Sequence, residues 1–376
     1  MRIRIEDAGA GIGEFPVIAR TPFRPPVPPE LESVFRDIGI ELLGVADLPP
    51  ADRAQSEYDD WIRLGRHGRM SYLEDHAQLK FHPERLLPGC RSVIMVGINY
   101  YQEAAPARGE GEPAGRVARY AWGRDYHRLL GKRLKKAIQT LSARYAEDRF
   151  RGFTDATPLA ERFYAERAGI GFTGRNTLTI SSRFGSWFLI GEILTTRGFA
   201  ATGPAAGKNG SCPSGCSRCI DVCPTGALES PFRINASKCI SYLTIENKGS
   251  IPESLREKMG DWIFGCDLCQ EVCPLNIRAG VTGEVDFTTH RAGPALSLRD
   301  VLTLESDEQF RFRFAGSPLA RAGRRGLVRN ACIAAANSDA VELLPILEEL
   351  ANGGDSLVAE HAAWAVSRLK LRAGRD

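Results

Sequence analysis

Eight of the ten cysteines lie between residues 212 and 273, and their spacing is the strongest chemical signal in the chain. The upstream group has the pattern C-x3-C-x2-C-x3-C-P and the downstream group has the pattern C-x2-C-x3-C-P, with one further cysteine between them. Thiolates at such spacings ligate zinc or iron–sulfur centres. The sequence therefore predicts metal chemistry in this segment.

The pattern is close to the bacterial ferredoxin run C-x2-C-x2-C-x3-C-P, in which the cysteine before proline ligates the other cluster. Because the downstream group lacks one nearby cysteine, Cys239 is the residue that completes it. We therefore predict two [4Fe–4S] clusters with eight ligands: Cys212, Cys216, Cys219 and Cys273 for cluster 1, and Cys223, Cys239, Cys266 and Cys269 for cluster 2.

Two other metal sites fit parts of this pattern. Zinc also binds paired C-x2-C units, but two Cys-Pro-terminated runs are not typical of zinc sites. The stretch from Cys212 to Cys219 alone matches the loop of radical S-adenosylmethionine enzymes, and its extra residue departs from the ferredoxin spacing. Cys223-Pro224 and the downstream group argue against that loop, because they complete both clusters.

Composition favours a globular chain in a reducing compartment. Lys and Arg number 49 and Asp and Glu 46, so the formal net charge of +3 says little about partners. The N-terminus has no apolar signal region and no apolar stretch is long enough to span a bilayer, so we expect a cytoplasmic protein without a membrane segment. Cys90 and Cys332, outside the runs, are expected to be buried structural thiols.

We predict an α+β multidomain fold: an N-terminal tail (1–29), an α/β domain (30–202), a ferredoxin-like domain with two clusters (203–285) and a HEAT-like α-helical region (286–376). Residues 93–98 predict a buried strand. Residues 126–145 predict an amphipathic helix. Residues 178–182 and 187–194 predict a hairpin. Three helices are expected near residues 327–336, 340–351 and from Ser356 onward.

Several blocks of the chain resemble the epoxyqueuosine reductase family. They are Ala118-Arg119-Tyr120-Ala121-Trp122-Gly123-Arg124-Asp125-Tyr126-His127, Thr154-Asp155-Ala156-Thr157-Pro158, residues 165–178, residues 239–246 and residues 266–274. The blocks occur in the family's order, and the resemblance covers roughly residues 30–370.

This resemblance implies that the chain reduces epoxyqueuosine to queuosine at the wobble position of tRNA, the final step of queuosine synthesis. Electrons would pass from an external low-potential donor through the two clusters to cobalamin, which the 30–202 domain would hold. The implied partner is a tRNA anticodon stem-loop, and we expect the enzyme to act as a monomer.

By the same resemblance, Asp155 is the proton donor, which requires a poorly solvated pocket that raises its pKa. The alternative is that Asp155 is a helix N-cap. Arg162 is expected to face the same pocket. The corrinoid contacts expected are Tyr126, His127, Asn176 and Ser241. Residues 125–130 lack the final glycine of D-x-H-x-x-G, so no histidine–cobalt bond is expected.

A run of nineteen residues without acidic side chains, 311–329, predicts a tRNA-binding surface. Clustered arginine beside aromatic residues suits phosphate contact and base stacking. The alternative is a solvated helical face with the interleaved Phe310, Phe312 and Phe314 in the core. The predicted contacts are Arg311, Arg313, Arg321, Arg324, Arg325 and Arg329.

Two rival functions use the same cysteines. A reductive dehalogenase-like enzyme also combines a corrinoid with paired clusters, but such enzymes typically carry a twin-arginine signal. A ferredoxin-type electron-transfer module on a nucleic-acid-binding scaffold would need neither a corrinoid nor a buried acid. Absorption spectra with and without cobalamin would separate this module from the two enzymes.

Overall fold

The structure, a computed structural model, describes residues 27–103, 112–155, 158–203, 210–277 and 279–373. Residues 1–26 of the predicted tail and most of the 203–211 boundary lie outside the described residues. The strands are β1 (Leu42–Ala46), β2 (Ser92–Asn99), β3 (Ala114–Val117), β4 (Phe150–Phe153), β5 (Phe172–Thr173), β6 (Thr179–Ile180), β7 (Phe188–Thr195), β8 (Leu228–Ser230), β9 (Arg233–Ile234), β10 (Trp262–Phe264) and β11 (Ala295–Ser297).

The helices alternate with these strands in the first part of the chain and dominate the last part. They are α1 (Pro29–Arg36), α2 (Asp52–Arg63), α3 (Ser71–Asp75), α4 (Pro83–Leu86), α5 (Tyr126–Arg144), α6 (Glu161–Arg167), α7 (Arg218–Asp221), α8 (Ile240–Ile245), α9 (Glu253–Arg256), α10 (Leu268–Glu271), α11 (Val285–Thr288), α12 (Leu298–Leu302), α13 (Asp307–Arg313), α14 (Gly323–Asn337), α15 (Leu344–Ala351) and α16 (Ser356–Ala373). No helix among the described residues has the length and apolarity to cross a membrane.

An antiparallel four-stranded sheet in the order β1-β2-β7-β4 forms the first core. Every residue of β2 is buried, because its side chains alternate between two apolar clusters. Ile94 and Val96 pack with α1 and α5, whereas Val93 and Met95 pack with α6. Burial on both faces explains the uninterrupted apolar run, and the predicted strand and amphipathic helix are both confirmed.

The predicted hairpin is wrong. β7 pairs with β2 and β4, while β6 pairs with β5, so the two segments belong to different sheets. Only the Ser181–Gly185 bridge forms a local turn between them. The physical reason is burial: β7 is apolar on both faces and is covered on both only at the centre of the larger sheet.

A second sheet joins the three predicted segments of the chain. Its order is β10-β3-β11, so it takes one strand from the 30–202 segment, one from 203–285 and one from 286–376. The largest apolar cluster continues from this sheet into α12, α14 and α16. The segments thus share a core, and the domain boundaries stay a prediction.

The three expected C-terminal helices are present as α14, α15 and α16. The second begins at Leu344 rather than at residue 340, because Pro345 occupies its first turn, where the missing N–H costs nothing. The HEAT-like repeat stays a prediction.

Arg329 is not on the surface. It is fully buried in α14 and donates hydrogen bonds of 2.6–2.7 Å to the main-chain oxygens of Leu243, Asn247 and Gly249. Asn330, also fully buried, donates to the oxygens of Thr244 and Ile263. A buried guanidinium cannot reach a phosphate, so the structure removes Arg329 from the predicted tRNA contacts.

We expect Arg329→Met to lower the free energy of unfolding by about 3 kcal/mol or more, because three buried carbonyls lose their donor. Urea unfolding measures this directly. The control is Arg325→Ala, which breaks an exposed ion pair with Asp355 and should cost at most about 1 kcal/mol. Equal effects of the two variants would contradict a structural role for Arg329.

Candidate active site

Asp125, His127 and Asp155 form a connected chain of charges at the start of α5. His127 Nδ1 donates to Asp125 Oδ1 over 2.7 Å, and its Nε2 lies 3.4 Å from Asp155 Oδ2. The Tyr126 hydroxyl donates to the same Asp155 oxygen over 2.5 Å, and the Tyr126 and His127 rings stack with centroids 4.1 Å apart. The groups at the start of α5 therefore converge on one carboxylate.

The electrostatics of this chain reverse the sequence prediction for Asp155. The hydrogen bond from His127, with the one from Tyr126, outweighs burial and lowers the Asp155 pKa to about 2. Hydrogen bonds first to Asp125 and then to Asp155 raise the His127 pKa to about 9. At neutral pH the proton therefore resides on the imidazole, and the predicted rise in the pKa of Asp155 is wrong.

The backbone conformation of Asp155 is also unusual, as is that of Thr177 at the same cavity. The φ of +56° at Asp155 lies in the left-handed region, which is uncommon for residues other than glycine and concentrates at functional sites. The N-cap interpretation is wrong, since α6 begins at Glu161 with Ala160 before it. Residues 156 and 157 of the predicted block lie outside the described residues.

A cavity of about 980 Å³ opens beside Asp155. Apart from predicted cluster ligands, four of the sequence-predicted residues line it with Asp155, namely Arg162, Asn176, Ser241 and Arg321. A second cavity of about 270 Å³ shares Asp155 and Arg162 and adds Tyr126. His127 reaches this region through its contact with Asp155. The predicted pocket residues are thus brought together.

Electrostatic coupling between the eight predicted cluster ligands follows the two predicted sets, with one coupling, between Cys219 and Cys269, that joins them. Cys273 interacts electrostatically with Cys212, Cys219 and Cys216, and Cys266 interacts with Cys239 and Cys269. Cys223 is a neighbour of both Cys239 and Cys269. These groupings are the ones that the spacing predicts, and they support the proposed ligand sets.

The two groups differ in their relation to the large cavity. Cys223, Cys239, Cys266 and Cys269 all line it, whereas the other four do not. Within the described residues, no three His, Cys, Asp or Glu side chains converge on a point that would hold one metal ion.

Three buried or half-buried charged residues that interact electrostatically with Asp155 were missed at the sequence level. They are Glu161 in the first turn of α6, Glu192 in β7 and Lys80 before α4. Glu192 is fully buried, and neither of its carboxylate oxygens has a hydrogen-bond partner among the described residues. A glutamate inside the otherwise apolar run 187–194 is the signal that could have identified it.

Most of the predicted tRNA-binding arginines are engaged within the chain. Ion pairs of 2.6–3.4 Å join Arg313 to Asp300, Arg321 to Glu246, Arg324 to Asp307 and Arg325 to Asp355. Within the described part of the chain, no ion pair involves Arg311, which is exposed.

The phenylalanines interleaved with these arginines divide between the core and the surface. Phe310 and Phe314 are buried and pack on each other with ring centroids 5.2 Å apart. Phe312 is 89% exposed and is therefore free to stack on a base.

Comparison with known proteins identifies the family. The family model for "Epoxyqueuosine reductase QueG, DUF1730" matches residues 80–156, and that for a "4Fe-4S double cluster binding domain" matches residues 212–276. The epoxyqueuosine reductase of Pseudomonas aeruginosa is 38% identical over 354 residues, which are 92% of this chain and 96% of that protein. The chain belongs to the epoxyqueuosine reductase family. It is therefore an oxidoreductase with a double [4Fe–4S] domain.

Solved structures of epoxyqueuosine reductases share the fold. One, with a tRNA-Tyr epoxyqueuosine-modified stem loop, has a TM-score of 0.84 at 29% identity over 90% of this chain and 89% of its own. Another, from Bacillus subtilis, has its catalytic aspartate loop swung out of the active site, with a TM-score of 0.82 at 28% identity over the same shares. Both are consistent with a mixed α/β fold around a double-cluster domain.

The ligand sets predict the iron content of cysteine variants. Cys239→Ser should lose about one of the two clusters, because it removes one corner of cluster 2. Iron and sulfide analysis after anaerobic reconstitution measures the loss. Cys90→Ser is the control, because Cys90 is buried beside β2 in an apolar cluster and should keep both clusters. Full iron retention in Cys239→Ser would show that the pairing is wrong.

Proposed function

We propose that this chain reduces epoxyqueuosine in tRNA to queuosine. The observation that carries the proposal is the cavity that Asp155 and Arg162 share with the four thiols of predicted cluster 2. One pocket therefore combines a source of protons with a source of electrons. The tRNA stem loop bound to a related enzyme supports tRNA as the substrate class.

The reaction requires two electrons and two protons. Both C–O bonds of the epoxide break, a C=C bond forms, and the oxygen leaves as water. An external low-potential donor would supply the electrons one at a time through cluster 1 and then cluster 2, because only the second group of thiols borders the cavity.

The cavity residues fit a large polar cofactor of the cobalamin class. The volume of the cavity, about 980 Å³, is near the upper end of the range for small-molecule binding sites. The Nδ2 donor of Asn176 is buried without a hydrogen-bond partner among the described residues, and Ser241 lies on the same wall. These two residues, with Tyr126 at the adjoining cavity, are the proposed contacts. Cobalamin, when bound, supplies a strongly reducing cobalt centre.

Asp155 is the proposed point of proton delivery, with His127 as the source. His127 Nε2 lies 3.4 Å from Asp155 Oδ2. A proton can therefore pass from the imidazolium through that oxygen to the cavity. Arg162 donates a 2.8 Å hydrogen bond to the Thr177 oxygen, which fixes its guanidinium beside the same cavity. There it stabilises negative charge that develops on the departing oxygen.

The proposed tRNA-binding surface consists of exposed cations that have no ion pair in the described part of the chain. Besides Arg311, the outward face of α5 carries Arg128, Lys132, Lys135 and Lys136, all exposed and without an ion pair in the described part of the chain. Spacings of four, three and one residues place them on one side of the helix. Helix α5 begins at the Asp155 site, so this row of cations forms a stripe that extends along the helix from the cavity. Arg321 lies at the same cavity. Such a stripe suits the phosphate backbone of an RNA stem.

We expect Asp155→Asn to lower turnover at least about a hundredfold while both clusters and cobalamin binding are retained, because only proton delivery is removed. Nucleoside analysis of modified tRNA measures the product. Turnover of the unmodified enzyme should fall as pH rises through about 9, where His127 loses its proton. His127→Gln should abolish this alkaline decline and lower the plateau. Normal turnover of Asp155→Asn would remove its assigned role.

We expect Lys132→Ala with Lys135→Ala and Lys136→Ala to weaken tRNA binding. The slope of log affinity against log salt should become shallower by about 1 for each phosphate that the variant no longer neutralises. Filter binding over a salt series measures both. The matched control is Arg313→Ala with Arg325→Ala, which removes cations already paired within the chain. If the control weakens binding more than the α5 variant, the C-terminal arginines are the main tRNA-binding groups.

A further inference from the structure

Glu192 occupies an unusual position for a carboxyl group. It lies in the middle of β7, opposite Met95 of β2 and Phe153 of β4, and it is fully buried. The apolar cluster on this side of the sheet includes Met95 and Leu194. Neither carboxylate oxygen of Glu192 accepts a hydrogen bond from a described residue. An isolated carboxylate in such surroundings is very costly, so the site favours the neutral acid.

A second carboxyl group lies close by. Glu161 opens α6, which packs against β7, and its Oε1 is also buried without a partner among the described residues. Burial, and then the charge of Asp155, raises its pKa to about 7. Burial, and then the charge of Glu161, raises the pKa of Glu192 well above the usual value. The two acids thus oppose each other's ionisation.

The charged groups that face this pair do not neutralise both acids. Lys80 is buried, and burial lowers its pKa. It interacts electrostatically with Glu161, Glu192 and Asp155, but no ion pair joins it to an acid among the described residues. Arg162 is engaged by the Thr177 oxygen and is shared by Glu161 and Asp155. Lys80 and Arg162 are shared by three carboxyls, and neither forms an ion pair with Glu192 among the described residues, so the fully buried Glu192 carboxyl favours the protonated form.

The pair has a route to the cavity. Glu161 lines both cavities beside Asp155, whereas Glu192 lies behind it in the sheet. The hydroxyl of Thr179, which lines the smaller cavity, and that of Thr154 are also buried without partners among the described residues. A cavity of about 270 Å³ with several such polar atoms has the room and the partners that ordered water requires.

We propose that Glu161 and Glu192 form a buried proton store that supplies the second proton of the deoxygenation through Glu161. The inference rests on the proposed function, in which His127 and Asp155 supply the first proton. The departing oxygen takes one proton from His127 through Asp155 and one from Glu161, and it leaves as water. Glu192 then shares its proton with Glu161, and solvent restores the pair.

Infrared spectroscopy tests the protonation itself. At pH 8 the exposed carboxyls are ionised, so a carbonyl band of a protonated carboxylic acid reports buried acids alone. We expect this band in the cluster-loaded wild-type enzyme, with a shift in D2O, and its loss in Glu192→Gln. Glu342→Gln, an exposed carboxyl between α14 and α15, is the control and should keep the band. Absence of the band from the wild type would overturn the proposal.

Thermal unfolding gives a second readout that a packing role alone would not move. Glu192 has a raised pKa in the folded state, so above the unfolded pKa it holds a proton that the unfolded chain releases, and stability falls as pH rises. Glu192→Gln removes this dependence. The Tm of Glu192→Gln minus the Tm of the wild type should therefore increase from pH 4 to pH 8. A Tm difference that is constant with pH would contradict the stored proton.

Single-turnover kinetics then tests the use of the proton. Glu161→Gln and Glu192→Gln should each slow product formation about tenfold or more, with cluster and cobalamin spectra unchanged. Wild-type rates in both variants would overturn the proposal while leaving the Asp155 requirement intact. A wild-type enzyme that forms no queuosine would instead contradict the proposed function.

Discussion

Convergence of Cys239 with Cys223, Cys266 and Cys269 beside one cavity is the constraint on which the rest of the structure depends. Cys239 immediately precedes α8, and Cys266 follows β10. Two adjacent buried side chains of α14 contact both segments. Arg329 donates a hydrogen bond to the main-chain oxygen of Asn247, just after α8, and Asn330 donates one to the main-chain oxygen of Ile263 in β10. The C-terminal helices therefore position the cysteines of predicted cluster 2, although they carry none of them.

The sequence predicted the elements whose signals are local. The run 93–98, the helical periodicity of 126–145 and the cysteine spacing each depend on neighbouring residues, and each has its counterpart in the structure. Pairings between distant segments were not predictable in the same way. The β10-β3-β11 sheet joins three short segments, and β7 pairs across long intervals of chain instead of with its neighbour. Strand pairing is decided by burial in the whole core, which no single window contains.

The protonation of the site shows the same limit. The resemblance predicted Asp155 as an acid, and a buried carboxyl ordinarily has a raised pKa. In the structure, however, the partners of Asp155 come from α5, where His127 and Tyr126 both contact its Oδ2. Hydrogen bonds to the charged form outweigh burial, and the proton resides on the imidazole. The resemblance predicted a proton-transfer role for Asp155, but only the contacts between distant residues decide which group holds the proton.

Charge on the surface depends on pairing as much as on count. The run 311–329 holds six arginines and no acid, which predicted a strong positive patch. Its acidic partners come from elsewhere in the chain: Asp300 and Asp307 lie just before the run, Glu246 in the cysteine-rich segment, and Asp355 before α16. Helix α5 has no acidic residues, and its Arg128, Lys132, Lys135 and Lys136 have no ion pair in the described part of the chain, whereas Arg133 pairs with Glu284. A polyanion gains most from cations that have no intramolecular carboxylate to give up, because releasing such a partner offsets part of each new interaction. The strength of a nucleic-acid surface therefore follows from the charges that folding leaves free, and four such charges lie on the helix that begins beside Asp155.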